Sequence, residues 1–211
     1  MELHNNYWVL RHGRSLANEK EIIASTYENA LPPNFGLHET GRHQAVQAGK
    51  RLTSELEKLG SKSAETLVLS SPLTRALETA VLVSQQLGVL TTDSNFQVVP
   101  ELVERNFGEL ELQQDSNYQK VWDADSASLS SAPAGGVESI TQVSERVESL
   151  FSSIEAAHRG RNILLVSHGD TLSILWATAK GLPRSEHRKH GLSTGELMPL
   201  HVGTASKPGH S

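Results

Sequence analysis

A three-layer α/β/α sandwich around a mainly parallel sheet is the fold class this 211-residue sequence predicts, and three observations predict it. Short apolar runs rich in β-branched residues alternate with longer runs whose apolar positions recur at helical spacing, the pattern of strands joined by right-handed helical crossovers. Glycines stand where two of the helical runs stop, Gly60 and Gly88. Three of the strand-like runs exit into polar triplets, Arg11-His12-Gly13, Ser70-Ser71-Pro72 and Ser167-His168-Gly169. Ligands of open α/β sheets bind beyond the carboxyl ends of the strands, so the chemistry is aimed at one edge.

Taken in order, Tyr7-Trp8-Val9-Leu10 reads as the first strand, and 15–39, which contains LPPNFG, as a long irregular loop of the kind that is usually functional. Thr40 is the expected N-cap of a helix carrying Ala45, Val46, Ala48, Leu52, Leu56 and Leu59. A buried strand follows at 66–69, and Ser71-Pro72 opens a second helix with Leu73, Ala76, Leu77, Ala80, Val81 and Leu87. Residues 96–99 predict a strand ending at Pro100, 118–122 a short helix, and the Ser- and Ala-rich stretch after it a mobile loop. Ile140, Val143, Val147, Leu150 and Ile154 step by three and four, a strong helical signal, before a strand at 162–166 and a helix at 171–180. An edge strand at 196–200 completes a single domain over 1–200, and the polar tail 201–211 is expected to be disordered. Trp8, Trp122 and Trp176 read as packing residues rather than ligand platforms.

Composition narrows the function. With 37% hydrophobic and 20% charged residues the chain has material for one substantial core, and its net charge of −5 argues against nucleic acid or an acidic membrane as partner. No cysteine is present, which removes disulfide, thiolate and zinc-thiolate chemistry and fits a reducing compartment. The segment after Met1 carries Glu2, His4 and Asn5 and reads as no export signal, so the expected location is cytoplasmic.

Against that acidic background the strand ends gather cations. Each of His12 and His168 follows an apolar strand and precedes a glycine, Gly13 or Gly169, whose missing Cβ allows close approach of a ligand. Arg75 lies in the first turn of its helix, where free amides already favour an anion, although its spacing to Glu78 also suits an exposed ion pair. Arg11, Arg75, His12 and His168 together form a cationic cup matched to a phosphate. A histidine beside two arginines resists protonation and stays nucleophilic.

The segments RHG, LHETGRHQA, SSPLTRALETA, LVERNFGE and VSHGD, in this order over roughly 7–180, resemble the histidine phosphatase superfamily, its phosphoglycerate-mutase-like group. The resemblance implies phosphoryl transfer through a phosphohistidine, with His12 as nucleophile and Arg11, Arg75 and His168 holding the phosphoryl oxygens. Glu104 is implied as proton donor in preference to Glu101, while Glu109 and Glu111 read as surface or loop residues. Asn18 and Ser15 are implied as further phosphate contacts, and Gly169 as part of the substrate site. Two positions depart from the family pattern: Arg14 follows RHG where many members carry glutamate, and Leu112 follows Glu111 where a glycine is familiar.

No metal or other cofactor is expected, because the arginines supply the charge a metal would. The favoured activity is hydrolysis of small phosphate monoesters, since 104–168 is short for the insertion with which mutases of the family enclose a bisphosphate. A phosphoglycerate-type mutase and a non-catalytic phosphate-binding protein stand as alternatives. The expected partner is a small phosphorylated metabolite; a homodimer is left open, as is the basic segment 184–191, which fits either an acidic substrate group or a solvated loop.

Overall fold

The structure, a computed structural model, describes residues 2–127 and 135–203. Five strands, β1 (Asn6–Arg11), β2 (Leu67–Ser70), β3 (Phe96–Val98), β4 (Asn162–Ser167) and β5 (Leu197–His201), form one sheet in the order β3-β2-β4-β1-β5. The first four are parallel and β5 runs antiparallel along β1. Among the described residues seven α-helices accompany them: α1 (Leu16–Glu19), α2 (Tyr27–Ala30), α3 (Glu39–Lys58), α4 (Thr74–Leu87), α5 (Tyr118–Ala127), α6 (Ile140–Ala157) and α7 (Gly169–Lys180).

Strand side chains alternate between two faces, and both faces are covered. Tyr7, Val9, Leu67, Leu69, Ile163 and Leu165 pack with Val143, Val147, Phe151 and Leu175 of α6 and α7. Trp8, Leu10, Val68, Leu164 and Val166 pack with Leu52, Leu56, Ala76, Ala80 and Val83 of α3 and α4. Each fully buried Leu, Val or Ile is worth about 1.5–3 kcal/mol of transfer free energy, which is why the central strands read as continuous apolar runs rather than alternating ones.

The local differences from the sequence reading have physical causes. The 15–39 region is not wholly irregular, since α1 and α2 form inside it, each only one turn long and too short for periodicity to register. α3 starts one residue before Thr40: His38 is its N-cap, with Nδ1 accepting from the Thr40 amide, a role for which histidine has no strong propensity signal. α5 runs to Ala127 rather than ending near Trp122, and α7 starts at Gly169 directly after His168. β5 reaches His201, the first residue of the expected tail; 128–134 and 204–211 lie outside the described residues.

The topology sets three strand ends side by side. β1 pairs with β4 up to Arg11 and Ser167, and β4 pairs with β2 up to Val166 and Ser70. The ladder continues past the strands: His12 donates its amide to Ser167 O at 2.9 Å, and Ser71 donates to Val166 O at 3.0 Å. Residues 11–12, 70–71 and 167–168 are therefore held in fixed register at the carboxyl edge. Among the described residues no helix is long and apolar enough to cross a membrane.

Candidate active site

His12 is buried at this edge and its tautomer follows from its neighbours. Arg75 Nε lies 3.0 Å from His12 Nε2, and a guanidinium donates but does not accept, so Nε2 carries the lone pair. Nδ1 then holds the proton, which it donates to Gly13 O at 2.8 Å. Burial, then the charges of Arg75 and Arg11, holds this imidazole well below the ordinary histidine range. The ring is thus neutral, with its nucleophilic nitrogen facing the guanidinium.

His168 is as deeply buried, its ring centroid 5.1 Å from that of His12. Its Nε2 meets Ser71 Oγ at 2.8 Å, an oxygen that also accepts from the Leu73 amide. His168 Nδ1 is buried without a hydrogen-bond partner. Burial first, then Arg75, His12 and Arg11, keeps His168 well below its ordinary pKa as well.

The arginines complete the cup. Arg11 donates from Nη1 to Leu192 O at 2.6 Å, while its Nε, like Nη1 of Arg75, is buried without a hydrogen-bond partner. Arg75 does not pair with Glu78, which instead binds Arg42 and the Leu37 amide. Two glycines make the approach possible. A Cβ on Gly13 would stand 2.3 Å from Gly41 O, so the loop after β1 lies against the start of α3 only as glycine. A Cβ on Gly169 would meet the Arg11 guanidinium carbon at 3.2 Å; here the close approach is to Arg11.

Glu104 is buried beside them, Oε1 accepting from the Arg105 amide at 2.9 Å and from the amide and hydroxyl of Thr171, each at 3.2 Å. Burial, reinforced by Asp170, raises its pKa above the ordinary carboxylate value despite the opposing charge of Arg75. Arg11, Asn18, Glu104 and Gly169 line one cavity of about 190 Å³. Glu104 also borders a larger depression of about 740 Å³ with Tyr27, Val137 and Arg146 on its wall.

Ser15 and Asn18 divide the role expected of both. Ser15 is fully buried as the N-cap of α1, its hydroxyl accepting from the Asn18 amide and donating to Asn18 Oδ1. Its oxygen is committed to that cap; Asn18, whose Oδ1 Ser15 fixes, is the one that reaches the cavity. Arg14 points to the surface, paired with Glu19 at 2.6 Å. Leu112 adopts φ +62°, a left-handed conformation that explains why a glycine suits this position. Glu111 organises a loop: its carboxylate accepts from the backbone and hydroxyl groups of Ser25 and Thr26 and from Asn29.

A buried ionic network stands behind the site, which motif reading did not find. Arg105, fully buried, holds Asp125 in a two-point fork at 2.6 and 2.7 Å and reaches Asp170 at 3.2 Å. Asp170 also accepts from Trp122 Nε1 and Arg188 Nη1. The members of the network, Arg105, Trp122 with Asp125, Asp170 and Arg188, come from four separate stretches of chain, so no local spacing reports it. Tyr118 also lines the cavity, its hydroxyl pKa pushed up by burial and then by Glu104. Among the described residues no cluster of three His, Asp or Glu side chains is placed to hold a metal ion.

Comparison with known proteins places this geometry among relatives. The model of the histidine phosphatase superfamily (branch 1) matches residues 7–207. The chain is 27% identical over 208 residues to a phosphoglycerate mutase of Schizosaccharomyces pombe, covering 94% of this chain and 90% of that protein. It is 32% identical over 185 residues to the adenosylcobalamin/alpha-ribazole phosphatase of Escherichia coli, covering 83% and 79%. Among solved structures it is similar to a mycobacterial glucosyl-3-phosphoglycerate phosphatase in complex with VO3, with a TM-score of 0.70 and 26% identity over 91% of this chain and 90% of that one.

Proposed function

Because this chain belongs to the histidine phosphatase superfamily, we propose that it hydrolyses small phosphate monoesters through a phosphohistidine on His12. The observation that carries the reading is a buried, neutral His12 whose Nε2 bears the lone pair, with Arg75 Nε at 3.0 Å and the His168 ring at 5.1 Å, in a site where Arg11 Nε, Arg75 Nη1 and His168 Nδ1 are all buried without hydrogen-bond partners. A buried guanidinium donor without an acceptor is costly, and a bound phosphoryl group is the kind of acceptor that would satisfy it. That the similar mycobacterial phosphatase was solved in complex with VO3, an oxyanion, supports the reading. The same reading has one catalytic domain over 1–200 acting on a phosphorylated metabolite in the cytoplasm.

The steps follow from the geometry. On binding, Arg75 turns its donors to the phosphoryl oxygens and frees His12 Nε2. Nε2 attacks phosphorus as the ester P–O bond breaks, and Glu104 gives its proton to the departing alkoxide. Water then attacks the phosphohistidine, Glu104 takes the water's proton, the P–N bond breaks and inorganic phosphate leaves. Positioning and charge neutralisation carry most of such a transfer, and the guanidinium groups supply both.

The test is release of inorganic phosphate in EDTA from alkyl and aryl phosphates, run beside a mutase assay with 3-phosphoglycerate and a bisphosphate primer. Phosphate release supports the hydrolase; primer-dependent isomerisation without net release selects the mutase; neither activity returns the protein to a binding role. Glu104→Gln, which keeps the shape but loses the proton, is expected to lower kcat/KM, which reports phosphorylation of His12, by about 10²–10⁴-fold for an alkyl ester and far less for an aryl phosphate, whose leaving group needs no proton. Equal losses on both would remove Glu104 from the acid role.

The pH profile has a signed expectation. kcat/KM rises with pH as His12 loses its proton, at a pH held low by burial and the arginines, and falls as Glu104 loses its own, at a pH held high by burial and Asp170. Asp170→Asn removes the negative charge, lowers the Glu104 pKa and is expected to move the alkaline limb to lower pH. A limb that stays in place assigns it to another group.

A further inference from the structure

The two carboxyl oxygens of Glu104 have unlike surroundings. Oε1 accepts from the Arg105 amide at 2.9 Å and from the Thr171 amide at 3.2 Å, so its lone pairs are committed to fixed backbone donors. Oε2 forms no hydrogen bond among the described residues, yet it is not one of the buried atoms that lack a partner, so it borders open space. The proton of the neutral acid therefore sits on Oε2, the oxygen free to reach a leaving group.

Beside Oε1 lies an adjustable donor. Thr171, fully buried in the first turn of α7, places Oγ1 2.8 Å from Val103 O and 3.2 Å from Glu104 Oε1, two acceptors for a single hydroxyl proton. With the acid neutral and Oε1 already served by two amides, the shorter contact wins and the hydroxyl points to Val103 O. Arg146 Nη2 donates to the same Oγ1 at 3.3 Å, and Arg146 is itself anchored on the Glu138 carboxylate at 2.9 and 3.2 Å. A guanidinium donating to this oxygen polarises its O–H bond and makes it a better donor.

Resting on the phosphatase reading above, with Glu104 as its acid, we propose that Thr171 is a positioning residue whose hydroxyl follows the charge on Glu104. It turns from Val103 O to Oε1 as the Oε2 proton passes to the departing ester oxygen, and turns back as Glu104 takes a proton from the attacking water. The Thr171 proton stays on Oγ1 throughout; only the direction of its bond changes. A carboxylate accepts a bond roughly twice as strong as a neutral group does, which drives the first turn. Val103 O accepts from no other group among the described residues, which drives the return. The other influences on this carboxyl are fixed: burial, then Asp170, raise its proton affinity, and Arg75 and the two amides oppose them, while Tyr118 lines the same cavity without bonding to it.

Thr171→Val keeps the branched shape and the amide bond and removes the hydroxyl; Thr171→Ser gives the hydroxyl back without the methyl. Losing the donor raises the proton affinity of Glu104, the direction opposite to Asp170→Asn. The infrared carbonyl band of the protonated carboxyl, assigned by its absence in Glu104→Gln, is expected to titrate about one pH unit higher in the Val variant and near wild type in the Ser variant. In the Val variant kcat/KM is expected to fall about tenfold for an alkyl phosphate and far less for an aryl phosphate, with Ser restoring it. If the Val variant does not fold, Thr171→Ala, smaller at the same point, carries the same comparison. A merely structural role would lower both esters alike and leave the carboxyl titration in place. Either result, or a Ser variant that restores neither quantity, would overturn the proposal and leave the phosphatase intact. Wild-type protein that releases phosphate from neither ester removes the phosphatase reading instead, and this inference with it.

Discussion

His12→Ala is expected to reduce phosphate release by roughly four orders of magnitude or more, the scale on which removing a nucleophile from an intact site operates. The loss should fall on chemistry rather than on anion binding, because Arg11, Arg75 and His168 retain their donors and Arg75 Nε gains one it had spent on the imidazole. Inorganic phosphate or vanadate should therefore still bind, and raise the thermal midpoint of the variant. Two groups do lose partners, Gly13 O and Arg75 Nε, so a stability cost of about 1–3 kcal/mol is expected and a folded control by circular dichroism belongs with the assay. The wild type quenched during turnover should carry an acid-labile, base-stable phosphoryl group that the variant lacks. Turnover within tenfold of wild type would mean that the cationic cup activates water directly, and the phosphohistidine would have to be abandoned.

What the sequence disclosed and what it hid divide along a physical line. His12, Arg75 and His168 were legible because each is tied by chain connectivity to the end of an apolar run, and topology brings such ends together whatever the loops do. Ser15 and Asn18 were legible as a pair but not in their division of labour, since which oxygen is left for a ligand depends on a three-residue capping bond. The His38 cap was hidden for a different reason: histidine has no strong capping preference, and tertiary context overrides the local signal. Glu111 read as a loop residue and is one, but its five-fold hold on 25–29 spans more than eighty positions of sequence. The basic stretch 184–191 looked uniform, yet its members part in the fold: His187 is buried against Ser173, while Arg188 reaches Asp170 and the cavity.

Removal of the guanidinium at position 105 is the substitution expected to cost most stability. Arg105 is fully buried and neutralises two nearly buried carboxylates, Asp125 and Asp170, while donating from Nε to Glu138 O at 2.7 Å. Exchanging such an ionic set for apolar groups of equal volume is often neutral, but deleting one partner strands the others; Arg105→Ala is therefore expected to destabilise by about 3–5 kcal/mol. For a chain of this length that is a fall in thermal midpoint of roughly 6–20 °C. Asp170 keeps Arg188 and Trp122, so the stranded charge is chiefly Asp125, whose other neighbour, His187, lies 3.9 Å away and is held below its ordinary pKa by burial. Adding Asp125→Ala to Arg105→Ala should accordingly recover part of the loss, a coupling that a double-mutant cycle reads directly. Function should suffer beyond the stability loss, because the Arg105 side chain fixes Asp170, the charge that helps keep Glu104 protonated. A midpoint within 2 °C of wild type, or a double variant no more stable than the single one, would show that Asp125 finds another partner and that the network is not what secures the acid.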